Sequence, residues 1–180
     1  MRISSSLTAL AILLTAGRAH ALTLSSAAFA NEAAIPPKHS CTDANVSPPL
    51  GWQEVPDGVK AFAMVVDDPD APAGTWVHWV LYDIPGDTRE LPVGVPTIER
   101  GAGGMKQGKN DFQHIGWGGP CPPPGPGHKY VFRLYALDAP SGLAPGASKA
   151  DLTSAMRGHV LGEATLVGTF ERGAETKPAH

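Results

Sequence analysis

An unbroken apolar run that ends in a cluster of acids constrains this chain more than any other feature. Residues 61–66 (AFAMVV) are all apolar and have the length of one strand, and such a run indicates a buried strand. Three carboxylates follow within four positions, at Asp67, Asp68 and Asp70. Buried strands seldom end in such a cluster unless the acids line a binding site or another polar cavity. We therefore expect a functional site at the end of this strand.

The next apolar segment carries a histidine. Residues 75–83 (TWVHWVLYD) have the composition of a central strand that is covered on both sides. A buried histidine is often only a hydrogen-bonded core residue, but His78 follows Asp68 and Asp70 after one tight loop, and this favours a role in the site. Because alternate residues of a strand share a face, we expect one face to carry Trp76, His78, Val80 and Tyr82, and the other to carry Val77, Trp79 and Leu81.

The most irregular segment precedes a third strand. Residues 116–127 (GWGGPCPPPGPG) consist mainly of glycine and proline, and residues 128–138 then read as a strand in which His128 and Tyr130 share a face. A proline-rich linker without a functional role is the alternative interpretation, but a strand follows directly and a cysteine lies within the segment. We predict instead that the amides of Gly118–Gly119 approach a ligand and form an anion nest.

The remaining segments indicate a mainly β domain. We expect an edge strand over residues 22–29, turn-rich stretches over 41–52 and 89–110, one helix over 148–161 and a last strand over 164–170. The helix is expected to present one apolar stripe at helical spacing, made of Leu152, Ala155, Met156, His159 and Val160.

Length and charge narrow the class of protein. The chain has 180 residues and a formal net charge of −3. This length fits one domain, and the charge gives no basic surface that would indicate nucleic acid or anionic lipid surfaces as partners.

The first residues have the pattern of a secretory signal peptide. A short basic start precedes an apolar stretch at residues 7–16, which is too short to span a bilayer, and Ala19-His20-Ala21 is a small-x-small cleavage pattern. We predict cleavage after Ala21, a single domain over residues 22–180, and a location in the periplasm or outside the cell. The sequence shows no second apolar stretch long enough to anchor the chain.

The chain has two cysteines, Cys41 and Cys121. An even count in an exported protein favours one disulfide, whereas two thiolate metal ligands are the alternative, which no CxxC spacing supports. By chain-entropy estimates such a bridge stabilises by about 4–5 kcal/mol before native-state strain is subtracted. We therefore predict a Cys41–Cys121 bridge.

Several motifs together resemble one known family, the phosphatidylethanolamine-binding proteins, in the bacterial branch that is similar to Raf-kinase-inhibitor-like proteins. The resemblance covers nearly all of the chain after residue 21. It is carried by NVSPPL at 45–50 with Trp52, DPDAP at 68–72, Trp76 with His78-Trp79, GPCPP at 119–123, Gly127-His128 with Tyr130, and ALD at 136–138.

The resemblance implies a large antiparallel sheet flanked by a smaller sheet on one side and a C-terminal helix on the other. It also implies a small pocket for phosphate-type head groups, with no cofactor. Together with the predicted amide nest, it makes the candidate ligand-binding residues Asp68, Asp70, Ala71, Pro72, His78, Gly118, Gly119, Pro120, His128 and Tyr130. Two departures from the family pattern, Asp43 and Trp117, are expected to alter the pocket rim.

Our main hypothesis is reversible, non-catalytic binding of a phosphate, a phosphomonoester or a phospholipid head group. His78, His128 and the Tyr130 hydroxyl are expected to donate hydrogen bonds to the anion. Asp68 is expected to accept from a histidine, which fixes its tautomer and favours the imidazolium. Asp67, closest to the strand end, is expected to be structural.

Three alternatives remain open from the sequence. Asp68, Asp70, His78 and His128 have the chemistry of zinc ligands, which allows a metal-dependent hydrolase. A serine hydrolase would use Ser47, although the GxSxG elbow is missing. The family also includes inhibitors of kinases and proteases, so an unidentified protein partner is a third alternative, for a chain acting as a monomer or homodimer.

Overall fold

We describe residues 21–173 in a computed structural model of the chain. The predicted signal peptide lies outside these residues, apart from Ala21, so its cleavage site and the domain boundary stay predictions. None of the helices in the described range is long and apolar enough to cross a membrane.

The described chain contains eight strands and one α-helix, besides short 3-10 turns. In chain order they are β1 (Thr23–Ser25), β2 (Leu50–Gln53), β3 (Ala61–Asp68), β4 (Trp76–Pro85), β5 (Glu90–Leu91), β6 (Lys106–Gln107), β7 (His128–Leu137), α1 (Lys149–Ala155) and β8 (Val160–Phe170).

The strands form two antiparallel sheets. The larger has the order β6-β4-β3-β7-β8 and the smaller has the order β1-β2-β5. Strand β3 lies in the middle of the larger sheet, and all eight of its residues are buried, as its apolar sequence predicts. The predicted fold class is therefore confirmed, including the smaller sheet and the C-terminal helix.

Two apolar cores cover the two faces of the larger sheet. The first joins it to the smaller sheet and includes Trp52, Phe62 and Phe132. The second lies under α1 and includes Val65 and Leu152. Because the sheet is buried on both faces, a polar side chain on it must find a partner or a cavity.

A β-bulge in β4 changes which way His78 faces. Val66 of β3 is opposite Trp79, whereas Asp67 is opposite Val77, so His78 is the extra residue of the pair. A bulge places two consecutive residues of one strand against a single partner and re-aims the side chains around it.

The predicted grouping of side chains on β4 is therefore wrong. Val77, Val80 and Tyr82 pack into the core under α1. His78 instead contacts the ring of Tyr130, which belongs to the first core. Strict alternation fails because the extra residue shifts the register of every position that follows it.

The helix is shorter than predicted and the last strand longer. Helix α1 ends at Ala155, and Gly158 then takes a positive φ of 81° in the turn that leads into β8. The apolar stripe therefore stops at Leu152 and Met156, which are buried. His159 is exposed and pairs with Asp138, with Nδ1 and Oδ1 2.7 Å apart.

Three short strands were not expected at the positions where they form. Strand β2 begins inside the predicted turn-rich stretch 41–52, and both β5 and β6 lie within residues 89–110. Strand β1 keeps only three residues of the predicted edge strand. Strands of two to four residues carry too few positions for a periodic signal.

The predicted disulfide is confirmed. Cys41 and Cys121 are bonded across 80 residues of sequence, with their Cα atoms 5.4 Å apart. The bridge joins two segments that belong to no strand.

Candidate functional site

Three strand ends meet around one cavity. Asp68 ends β3, Trp76 begins β4 and His128 begins β7, and because the three neighbouring strands are antiparallel these ends lie at the same edge of the sheet. The cavity has a volume of about 330 Å³. It is lined by Asp68, Ala71, Pro72, Ala73, Trp76, His78, Phe112, Cys121, Pro122, Pro123 and His128.

A short hydrogen bond joins His128 to Asp68. Nδ1 of His128 lies 2.7 Å from Oδ2 of Asp68, and both side chains are largely buried. The second carboxylate oxygen, Oδ1, accepts from the backbone amide of Asp70 at 2.8 Å. Asp68 is thus held on both oxygens, and its predicted role as an acceptor from a histidine is confirmed.

His78 is held by a backbone carbonyl. Its Nδ1 lies 2.6 Å from the carbonyl oxygen of Gly118, so Nδ1 carries the proton and donates it. The ring packs edge-on against Phe112 and Tyr130. Burial lowers the pKa of His78 below its usual value, against a smaller opposing effect of the Gly118 hydrogen bond and the Asp68 charge. At neutral pH the His78 ring is therefore uncharged.

Both histidines present the same ring nitrogen to the cavity. Nδ1 is bonded to protein in His78 and in His128, which leaves Nε2 as the ring nitrogen available to a ligand. A neutral ring with its proton on Nδ1 accepts at Nε2, whereas an imidazolium donates there. A neutral ring in this site therefore accepts a proton from a ligand at Nε2, and a charged ring donates one there.

The predicted amide nest is wrong. The amide of Gly118 donates to the carbonyl of His78 at 3.0 Å, and the amide of Gly119 donates to Oδ1 of Asn45 at 2.8 Å. Neither donor is free for an anion. Gly118, Gly119 and Pro120 do not line the cavity, although Gly118 positions His78 from behind.

Two other candidate residues also lie off the cavity wall. Asp70 is exposed, and its Oδ2 accepts from the amide of Lys129 at 2.8 Å, which ties the acidic loop to the start of β7. Tyr130 is completely buried. Burial, followed by the nearby Asp68 charge, raises the pKa of Tyr130 far above its usual value, so its hydroxyl stays protonated.

The hydroxyl of Tyr130 remains an unsatisfied donor. It lies close to Asp68 but makes no well-formed hydrogen bond to the described part of the chain. A small outward movement of the Asp68 carboxylate or entry of a ligand oxygen would satisfy it.

The family of the chain follows from its sequence. Residues 25–171 match the family described as Phosphatidylethanolamine-binding protein. The chain belongs to this family.

Individual relatives of this phosphatidylethanolamine-binding family agree with the match. A UPF0098 protein of Methanothermobacter thermautotrophicus is 49% identical over 152 residues, which are 84% of this chain and 100% of the relative. A Mycobacterium tuberculosis protein classed by name as a lipoprotein, LppC, is 43% identical over 155 residues, covering 85% of this chain and 74% of that protein.

A solved structure of the family has the same fold. The crystal structure of E. coli YbcL, described as a new member of the mammalian PEBP family, superposes with a TM-score of 0.77 at 31% identity. The match covers 84% of this chain and 98% of YbcL. The resemblance to the bacterial branch of the family is therefore confirmed.

The two departures from the family pattern do not lie on the cavity. Trp117 is buried in the first core, where its ring packs against Trp79 and Phe132. Asp43 is exposed in the segment that carries Cys41. The expectation that these residues alter the rim of the pocket is therefore wrong.

Phe112 is a cavity residue that the sequence did not reveal. It follows Asp111, whose Oδ2 accepts from the amide of Val77 at 2.7 Å and so anchors the segment beside β4. An isolated aromatic in an irregular stretch gives no periodic signal. The acid directly before it is the only local hint of an anchored position.

Asp67 lies on the opposite face of the sheet from Asp68. Its Oδ2 is 2.8 Å from a guanidinium nitrogen of Arg133 and 2.7 Å from Nζ of Lys149. Its expected structural role is confirmed, because it links β3 to β7 and to the first residue of α1.

Of the residues offered for hydrolytic chemistry, Asp68, His78 and His128 line the cavity, whereas Asp70 and Ser47 do not. Within residues 21–173 no group of three or more histidine, cysteine, aspartate or glutamate side chains is arranged to hold a metal ion. Ser47 is buried, and its Oγ accepts from the amide of Val95 at 2.9 Å, away from the cavity lining. No observation on this family member favours either hydrolase alternative.

Proposed function

We propose that this protein reversibly binds a phosphate group, free or as a phosphomonoester head group, in the cavity between β3, β4 and β7. The single observation that carries the proposal is that His78 and His128 line one cavity. Nδ1 of each ring is hydrogen-bonded to an oxygen atom of the protein, which leaves Nε2 for a ligand. The name of the family, which refers to a phospholipid, supports a ligand that carries a phosphate group.

Proton transfer controls how the anion is held. A dianionic phosphate has no proton to give to a neutral imidazole, so at least one histidine must be charged in the complex. A phosphate monoanion can instead donate its own hydroxyl to Nε2 of one ring. Asp68 stabilises a charged His128 through the 2.7 Å contact, and the negative phosphate favours a charged His78.

The apolar walls favour an organic substituent on the phosphate. Trp76 and Phe112 pack with ring centroids 5.4 Å apart, and Pro72, Pro122 and Pro123 complete a wall without a lysine or arginine. Bare phosphate makes no use of this surface, whereas the carbon atoms next to a phosphoester do. We therefore propose a phosphomonoester as the preferred ligand and no catalytic step.

Calorimetric titration tests the proposal. His78→Ala and His128→Ala are each expected to weaken binding of inorganic phosphate by about 1–3 kcal/mol, the loss of one charge-assisted hydrogen bond. His114→Ala is the matched control, because His114 is exposed and lines a different depression of the surface. Unchanged binding in both cavity variants would exclude the proposed site.

We also propose that the protein is exported. Support comes from the signal-like residues 1–21, from the disulfide and from the lipoprotein name of the mycobacterial relative. Expression of the full chain followed by cell fractionation and intact-mass measurement tests this. Full-length protein in the cytoplasmic fraction, with free thiols, is the contrary result.

A further inference from the structure

We infer that the Cys41–Cys121 disulfide is a redox-sensitive clasp of the ligand cavity, so that reduction by a dithiol lowers affinity for phosphate without unfolding the sheets. This inference rests on the proposed function of the cavity. It concerns the wall formed by Cys121, Pro122 and Pro123, which we call the proline wall.

The disulfide forms part of the cavity and is reachable from solvent. Cys121 lines the cavity and is partly exposed, while Cys41 is exposed on the other side of the bond. A change at the sulfur atoms therefore occurs at the wall of the proposed ligand cavity.

The proline wall has few other means of attachment. Residues 120–126 contain five prolines, and proline has no backbone N–H to donate. Only Cys121 and Gly125 in this stretch carry an amide, and the stretch pairs with no strand. A covalent bond therefore replaces the ladder of hydrogen bonds that holds other segments of the fold.

Two backbone hydrogen bonds tie this region to the segment that carries Cys41, and Nη1 of Arg172 also lies 3.9 Å from Sγ of Cys121. The amide of Cys41 donates to the carbonyl of Pro120 at 3.0 Å, and the amide of Gly119 donates to Oδ1 of Asn45 at 2.8 Å. The two segments are in close contact, since a Cβ on Gly119 would clash with the carbonyl oxygen of His39. The bridge thus fastens two irregular segments against each other.

Loosening this clasp also affects His78. The carbonyl of Gly118, three residues before Cys121, holds Nδ1 of His78 at 2.6 Å. If residues 118–123 gain freedom, both the proline wall and the orientation of His78 become less defined. The ligand must then order these groups when it binds, which lowers affinity.

The chemical step is a two-electron reduction. A dithiol such as dithiothreitol gives two electrons and two protons, its sulfur atoms form a cyclic disulfide, and Cys41 and Cys121 each become a thiol. Neither cysteine belongs to a strand or to the two apolar cores. Reduction therefore breaks no strand pair directly, and we expect the sheets to stay folded.

Titration of the full chain with inorganic phosphate, before and after treatment with dithiothreitol, tests the inference. We expect the Kd for phosphate to rise at least fivefold on reduction, with an unchanged far-UV circular dichroism spectrum. The double variant Cys41→Ser, Cys121→Ser should match the reduced protein and show no response to dithiothreitol. An equal Kd in the oxidised and reduced protein would overturn the inference.

A second variant covers the case in which reduction unfolds the chain. Asn45→Ala keeps the disulfide but removes the acceptor of the Gly119 amide, so its Kd for phosphate should rise two- to threefold. An unchanged Kd in folded Asn45→Ala would then overturn the clasp. If the oxidised wild-type protein binds no phosphate, the proposed function fails, whereas equal binding in both redox states defeats the clasp alone.

Discussion

Nδ1 of His128 lies 2.7 Å from Oδ2 of Asp68, at the point where two neighbouring strands of the larger sheet end and begin. The contact determines which nitrogen of His128 a ligand meets, and it places a negative charge behind the ring. Asp68 therefore acts on an anion through His128, although its own charge repels the anion.

Replacing Asp68 separates these two effects. Asp68→Ala is expected to weaken phosphate binding about tenfold, because the loss of a charge-assisted hydrogen bond to His128, about 1.5 kcal/mol, outweighs the relief of charge repulsion. Calorimetry at pH 7 measures the change. Asp138→Ala is a matched control, since it breaks a His–Asp pair at the surface. Tighter phosphate binding in Asp68→Ala would show that repulsion dominates.

Binding is expected to take up protons. Burial lowers the pKa of His78, so the free site carries a neutral ring at pH 8, where a phosphomonoester is a dianion. Binding then requires a proton from solvent. Calorimetric titrations in two buffers with different ionisation enthalpies give the number of protons, which should be positive. Zero uptake at pH 8 would contradict the role given to the histidines.

The lowered pKa of His78 also makes folding stability depend on pH. The folded state resists protonation of this ring, whereas the unfolded chain takes the proton near the ordinary value of 6.5. The unfolded state therefore binds more protons below this pH, and stability falls as the pH drops through 6.5. Urea unfolding at pH 7.5 and 5.5 should show a smaller loss in His78→Gln than in the wild type. An equal loss in both proteins would contradict this.

Asp67 is expected to matter for stability and not for binding. Asp67→Ala removes the shared partner of Arg133 and Lys149, whose side chains are about one third exposed. Because these cations can turn to solvent, we expect a loss of about 2 kcal/mol in the free energy of unfolding, less than for a fully buried pair.

Two comparisons sharpen this prediction. Arg133→Ala should be milder, since Lys149 keeps its contact with Asp67. The affinity of folded Asp67→Ala for phosphate should stay within about twofold of wild type, because Asp67 faces away from the cavity. A large loss of phosphate affinity in Asp67→Ala with little loss of stability would show that Asp67, and not only Asp68, serves ligand binding.

Sequence patterns predicted the elements whose signals are local. The run 61–66 and the acids after it identified β3 and indicated the position of the cavity at its end. Alternation correctly placed His128 and Tyr130 of β7 on one face, because β7 keeps its register with β8 from His128 to Ala136. The same rule failed in β4, where the bulge at His78 depends on how β3 and β4 pair.

Long-range contacts decided the rest of the site. The sequence placed glycines where amides were expected to bind an anion, but Asn45, 74 residues from Gly119 along the chain, takes one amide and β4 takes the other. Phe112 reaches the cavity because Asp111 is bonded to Val77 across 34 residues. No local pattern encodes either contact.

The sequence by itself determined that a mainly β chain of this family would gather Asp68, His78 and His128 near one end of the strands. Apolar periodicity and residue order can be recognised in short stretches of sequence, without knowledge of distant contacts. Only the tertiary structure decided which groups face the cavity. A bulge, a side-chain acceptor on a distant loop and one disulfide set those directions, because hydrogen-bond partners and strand register are settled when distant segments pack together.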